Sequence, residues 1–220
     1  IRHATHGLQM LGQDDNNPSQ LTMRILIKNN LWLNIGYPYT VPGDQGSGRG
    51  LLYISDVGAI QDLTVEHDTF FHSGTVLVPG DTGLNKGVGF TWRNNIHSHN
   101  EYGVLGGSSS PGKATLNKYF AVPYGYARNV MIANPSPQLY PPDNFNAPNL
   151  AAVGFTNVTD LKGSGTDYSL LPTSPYHKAG TDGTDIGIDW IKLKSATVTT
   201  YSGGIGPTVP PSSPRDLTVR

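Results

Sequence analysis

The sequence predicts an all-β fold, a right-handed parallel β-helix with three short strands per coil and loop insertions. Three observations carry that prediction. A motif recurs as Ile27-Lys28-Asn29-Asn30-Leu31-Trp32, Val65-Glu66-His67-Asp68-Thr69-Phe70 and Trp92-Arg93-Asn94-Asn95-Ile96-His97. A weaker copy is Tyr126-Ala127-Arg128-Asn129-Val130-Met131, and Ile1-Arg2-His3-Ala4-Thr5-His6 is a degenerate one. Aligned on the second polar residue, the column Ala4, Asn30, Asp68, Asn95, Asn129 is spaced by 26, 38, 27 and 34 residues, the range expected of stacked repeats. Second, helical periodicity is nearly absent; only Thr115 to Phe120 reads as a short helix, with Thr115 as its cap. Third, 27 Gly and 17 Pro, with Asn and Asp, stop short alternating runs as turns stop strands.

Each repeat reads as three strands. The first follows a glycine, at Leu8–Leu11, Leu51–Ile54, Thr75–Val78 and Val104–Gly106; the second precedes the column, at Met23–Lys28, Ile60–Glu66 and Val88–Arg93; the third follows it directly. Strands stacked about 4.8 Å apart bring equivalent residues into contact. Asn30, Asp68, Asn95 and Asn129 are therefore expected to form a structural polar ladder at a tight bend. Two residues upstream, Lys28, Glu66 and Arg93 alternate in sign, as a parallel in-register stack favours; solvated surface charge is the competing reading. Ile27, Val65 and Trp92 are expected to point inward. The variable spacing places insertions at Tyr37–Arg49, Pro79–Lys86, Ser108–Gly125 and Ala133–Leu150, which in stacked repeats gather on one face.

Composition narrows the function classes. Net charge is −1 with 14% charged residues, which argues against a nucleic-acid partner needing a basic footprint. No apolar run is long enough for a membrane helix. The chain lacks cysteine, which removes disulfides and thiolate metal sites. The polar, weakly charged composition suits a secreted bacterial protein.

Tyr168-Ser169-Leu170, Ser174-Pro175 and Gly180-Thr181-Asp182-Gly183-Thr184-Asp185-Ile186-Gly187 together resemble the closing segment of secreted bacterial parallel β-helix proteins related to pectate lyases. Trp92 to Gly103 resembles their late coils. The resemblance spans roughly residues 20 to 190 and implies fold more firmly than activity. Domain boundaries follow: residues 1–190 as the β-helix with its C-terminal cap, and 191–220 as a strand and linker tail. Pro214-Arg215-Asp216-Leu217-Thr218-Val219 resembles the opening of a fibronectin type III module, so a further domain is expected after the tail. Because the motif is already running at Ile1, earlier coils are expected before it.

The lyase relatives place calcium-binding Asp residues and a basic residue on the outer face of the strand after the glycine. Here that face reads Gln9, Leu52, Leu77 and Leu105, so the lyase constellation does not carry over. Weak carboxylate candidates for acid–base work are Asp44, Asp56, Asp81 and Glu101, near insertions. His97, His99 and Glu101 share a face if the strand stays extended, which would converge two imidazoles and a carboxylate on a metal; a polar turn is the alternative. Asp182, Asp185 and Asp189 read either as calcium ligands or as the carboxylates of a tight cap turn. Tyr37, Tyr39, Tyr102 and Tyr124, in or beside insertions, are candidates for stacking on sugars, or they seal loops onto the core. The expected function is a secreted polysaccharide-interacting module with carbohydrate binding and some processing. The alternatives are a polysaccharide lyase or glycoside hydrolase, with calcium as the candidate cofactor, and an extracellular adhesive scaffold that self-associates through β-helix ends or apolar faces.

Overall fold

The computed structural model describes residues 1–14, 16–17, 19–36, 48–54, 58–80 and 85–198. Its strands are β1 (Arg2–Ala4), β2 (Leu8–Leu11), β3 (Met23–Lys28), β4 (Leu31–Ile35), β5 (Leu51–Ile54), β6 (Gln61–Glu66), β7 (Thr69–His72), β8 (Leu77–Gly80), β9 (Thr91–Arg93) and β10 (Ile96–Ser98). Helix α1 (Lys113–Tyr119) follows, then β11 (Gly125–Ala127), β12 (Val130–Ile132), β13 (Phe145–Ala147), β14 (Phe155–Val158), β15 (Gly165–Leu170) and helix α2 (Trp190–Val198). Three open sheets are parallel throughout: β1-β4-β7-β10-β12-β13, β3-β6-β9-β11 and β2-β5-β8. From β1 to β10 the chain visits them in rotation, so each strand lies beside one from the preceding visit.

The all-β, right-handed parallel β-helix with three strands in every coil is corrected. The described residues form separate open sheets of six, four and three strands and no closed sheet. After β10 the rotation fails: Val104 makes a single bridge to Leu77 where a strand would stand, and the chain enters α1. Leu116 and Tyr119, three residues apart on one helical face, are fully buried there. The C-terminal part departs further, with an antiparallel pair β14–β15 and α2. The Trp190 ring packs edge-on against Tyr168 at 5.0 Å, so the expected boundary between residues 190 and 191 falls inside the first turn of a helix. Thr115 does not cap α1: the cap position is Gly112, and the Thr115 hydroxyl donates to Ser110 O at 2.8 Å. The tail from residue 199 lies outside the described residues.

A column of left-handed residues explains the asparagine-rich motif. Asn29, His67, Asn94 and Arg128 all have φ between 53° and 58°, a region where Asn is favoured among non-glycine residues; the opening copy of the motif does not join this column, because Ala4 pairs with Ile35 and not with Asn30. These four turn the chain from the β3-β6-β9-β11 sheet into the six-stranded one. The next residue supplies a rung of side-chain hydrogen bonds. Asn30 N and Nδ2 donate to Asp68 Oδ1 at 2.6 and 3.1 Å, and Asp68 N donates to Asn95 Oδ1 at 2.9 Å. Asn95 N and Nδ2 donate to Asn129 Oδ1, both at 3.1 Å, and Asn129 N and Nδ2 to Asn144 Oδ1, both at 2.9 Å. Asn144, a rung the motif did not include, extends the column.

The interior between the sheets is aromatic. Trp32, Phe70 and Trp92 stack at 4.9 and 5.5 Å between ring centroids, with 17° between planes at each step. The strand after the glycine is registered one residue away from the sequence alignment: Leu77 pairs with Leu51, while Val78 pairs with Leu52. Leu77 is therefore a fully buried core residue and does not belong to an outer face. A one-residue shift exchanges the two faces of a strand, and here Thr75 and Val76 separate Gly74 from Leu77 where Gly50 directly precedes Leu51.

Candidate functional site

A groove forms where residues 176–189 cross the left-handed turn column as a strap. Asn29, His67 and Asn94, all on that column, hold it. Asp189 N donates to Asn29 Oδ1 at 2.7 Å, Thr181 N to Asn94 Oδ1 at 2.9 Å, and Asn94 Nδ2 to Thr181 Oγ1 at 2.9 Å. His67 Nδ1 lies 3.1 and 3.3 Å from the carbonyl oxygens of Asp185 and Gly187, so that nitrogen carries a proton and donates. His67 Nε2 sits 3.1 Å from Asp182 Oδ2 and the same distance from Asn94 Nδ2. Gly187 has φ of 83°, and a Cβ there would stand 2.7 Å from Ile96 and Thr69 side-chain atoms, so the strap runs flush against β7 and β10.

The groove encloses about 850 Å³. Lys28, Asn29 and His67 line one side, the strap from His177 to Asp189 the other, and Leu170, Ile188 and Trp190 give it an apolar wall. A smaller hollow of about 460 Å³, lined by Asp167, Ser169, Trp190, Ile191, Lys194 and Ser195, continues it over α2. Trp190 borders both.

The carboxylates of the groove are occupied within the protein. Asp182 Oδ1 accepts the Thr184 N–H and hydroxyl at 3.1 and 2.8 Å. Partial burial pushes its carboxyl up, but the Thr184 donors and His67 outweigh that and hold it below its ordinary value. Asp185 Oδ1 pairs with His177 Nδ1 at 2.8 Å and accepts Lys178 N at 2.8 Å. Asp189 Oδ1 accepts Lys192 N at 2.9 Å in the first turn of α2. Glu66, which does not line the groove, is buried between the groove residue Lys28 at 2.7 Å and Arg93 at 2.8 Å; burial raises its carboxyl, yet the two cations hold it below the usual range.

Of the residues singled out by sequence, Asp182, Asp185 and Asp189 line this groove, whereas Glu101, Tyr102, Tyr124, His97 and His99 do not. Tyr37, Tyr39, Asp44, Asp56 and Asp81 lie outside the described residues. Tyr102 and Glu101 are exposed in the turn after β10. The Tyr102 carbonyl accepts the Tyr140 hydroxyl at 3.0 Å. Tyr124 packs against the core and its hydroxyl donates to Asn117 Oδ1 at 2.8 Å.

The metal reading of His97, His99 and Glu101 is corrected. Asn100 has φ of 50°, which ends the extended alternation before Glu101. The His97 ring lies buried edge-on to Trp92 at 6.4 Å, and His99 Nε2 meets the Tyr140 hydroxyl at 3.0 Å. Asp182, Asp185 and Asp189 each serve the local turn instead. Among the described residues no group of three or more His, Cys, Asp or Glu side chains is placed to hold a metal ion.

The strap was legible as a turn sequence, but its landing place was not. The left-handed residues Asn29, His67 and Asn94 are the neighbours of the rung residues, and their outward side chains bind a segment more than 85 residues later in the chain. Among the described residues no helix is long and apolar enough to cross a membrane. No protein-family model, no curated protein and no solved structure matches the chain.

Proposed function

We propose that the chain is a polysaccharide-binding module whose site is the groove between the strap and the turn column. The observation that supports this reading is the Trp190 ring bordering a hollow of about 850 Å³ whose other walls are polar. A pyranose presents an apolar face and a rim of hydroxyls, and an aromatic ring beside amide, hydroxyl and ammonium groups complements both. The volume lies within the range of small-molecule sites, and the hollow that continues over α2 offers room for a further residue of a polymer. Binding is favoured over cleavage because a general acid needs a raised carboxyl, whereas Asp182 is held down and Asp185 and Asp189 accept bonds from their own turns.

Affinity electrophoresis against a panel of neutral and acidic polysaccharides tests the reading. Retardation by at least one polymer is expected, with affinity falling about tenfold or more in Trp190→Ala, the loss of about 1.4 kcal/mol of stacking. Tyr102→Ala, remote from the groove, is expected to bind as the parent does. No retardation by any polymer, or unchanged affinity in Trp190→Ala, overturns the assignment.

A further inference from the structure

The rung column contains one carboxyl among amides, and the hydrogen-bond pattern changes at that position. Asn129 Oδ1 and Asn144 Oδ1 each accept two N–H groups from the rung before, one from the backbone and one from the side-chain amide. Asp68 Oδ1 likewise accepts two from Asn30. Asn95 Oδ1 accepts just one, the Asp68 backbone N–H at 2.9 Å. The missing donor is the one that the side chain at position 68 supplies elsewhere in the column, since Asn95 and Asn129 use Nδ2 there. Asp68 has Oδ2 in the position of that amide, and this oxygen also accepts the Trp32 indole N–H at 3.4 Å. An ionised carboxylate only accepts, so it leaves Asn95 Oδ1 short of a donor; a protonated carboxyl donates.

We infer that Asp68 is protonated in the folded protein, its hydroxyl donating to Asn95 Oδ1, and that this rung is a proton-dependent latch joining β4, β7 and β10. The carboxyl is fully buried, and burial raises it to about 7 against the N–H donors of Asn30 and Trp32. The charged groups around it are few. Glu66, two residues earlier on β6, disfavours ionisation, although its own charge is matched by Lys28 and Arg93. The Ile1 amine, which donates to Leu31 O beside β4, faces Asp68 and favours its ionisation. His67, the preceding residue, turns away to Asp182. On β10 the facing rung is the neutral Asn95.

Loss of the proton sets acceptor against acceptor in the middle of the column. The adjacent residues His67 and Asn94 hold the strap, so the latch lies beneath the anchor points of the groove. Asp68→Asn restores the amide donor and removes the proton dependence.

The test compares thermal unfolding of the parent and Asp68→Asn between about pH 5 and about pH 9. The parent is expected to lose several degrees of Tm relative to the variant as pH rises from about 5 to about 7, the difference levelling off above about 7 with the variant the more stable at the alkaline end. Parallel profiles overturn the inference. Should the variant fold poorly, the 13Cγ shift of Asp68 in the parent gives the answer directly: a midpoint near 7 supports the latch, and one below about 5 overturns it.

Discussion

The two ends of the parallel ladders are built from the same columns and differ in what covers them. At the first end β1, β2 and β3 are all edge strands, and their inward residues Ala4, Leu8, Met10, Ile25 and Ile27 are only partly buried. One strand deeper the same columns hold Ile35, Leu51, Tyr53, Leu63 and Val65, each at most 1% exposed. At the far end Tyr140 lies over Tyr126 with ring centroids 6.1 Å apart, and its hydroxyl accepts Val104 N at 3.2 Å. Helix α1 covers the remaining sheet through Leu116 and Tyr119. Burial in this architecture is thus conferred by the neighbour along the stack, while a residue's own alternation pattern fixes only which way it points.

Substitutions in one column measure that difference. Ile27, Val65 and Trp92 occupy successive strands, and Trp92 stacks on Phe70 inside the covered region. Trp92→Ala is expected to cost about 3–5 kcal/mol in urea unfolding, whereas Ile27→Ala, with half its cavity already open to water, costs about 1 kcal/mol. Equal losses would show that the first end is as well covered as the interior.

A second effect follows the same gradient. The column Ala4, Ile35, His72 ends in a histidine deep in the molecule, and His97 lies nearby; both are fully buried. Burial lowers His72 to about 4 and His97 to about 3. A base depressed below its unfolded value of about 6.5 adds stability that is complete above that value and drains away as pH falls toward the folded value. Each histidine removes up to about 1.4 kcal/mol per pH unit in that window. Stability is therefore expected to fall steeply between about pH 6.5 and about pH 4, and His72→Gln to flatten the acid limb. Asp68 acts with the opposite sign between its unfolded value of about 3.9 and its folded value of about 7, so it offsets part of the histidine limb and its own loss is complete above about pH 7. An acid limb unchanged in His72→Gln would place the proton uptake elsewhere.

How much of this the sequence carried depended on whether a feature is set by a few adjacent residues. Alternation and the Asn motif locate β3, β4, β6, β7, β9 and β10, because period two and a left-handed turn are properties of a few adjacent residues. The strand after the glycine differs in register at Leu77, because Thr75 and Val76 intervene after Gly74 and distance from the glycine does not fix the phase. Helix α2 was missed because Trp190 to Val198 has only a weak apolar face and is positioned by Tyr168. The candidate tyrosines Tyr102 and Tyr124 were chosen for their loops, yet the groove is made by a strap that returns across the turn column. Such long-range returns leave no periodic trace. His67 and Asn94 could have been suspected from their position alone: they are polar, recur beside the rung and are not needed for it.

The smallest expected effect tests the exposed edge itself. Leu26 is 61% exposed on β3, paired on one side with Thr64 of β6 and on the other with nothing among the described residues. Leu26→Lys is expected to change unfolding free energy by less than about 0.5 kcal/mol, and a lysine on a free edge discourages strand addition. A neighbouring chain lying on this edge in solution would make the same substitution costly, because the ammonium would then be buried without a partner. A loss above about 2 kcal/mol, accompanied by a fall in sedimentation coefficient, would therefore show that the first end is covered by self-association, and the contrast between the ends would disappear in the assembled state.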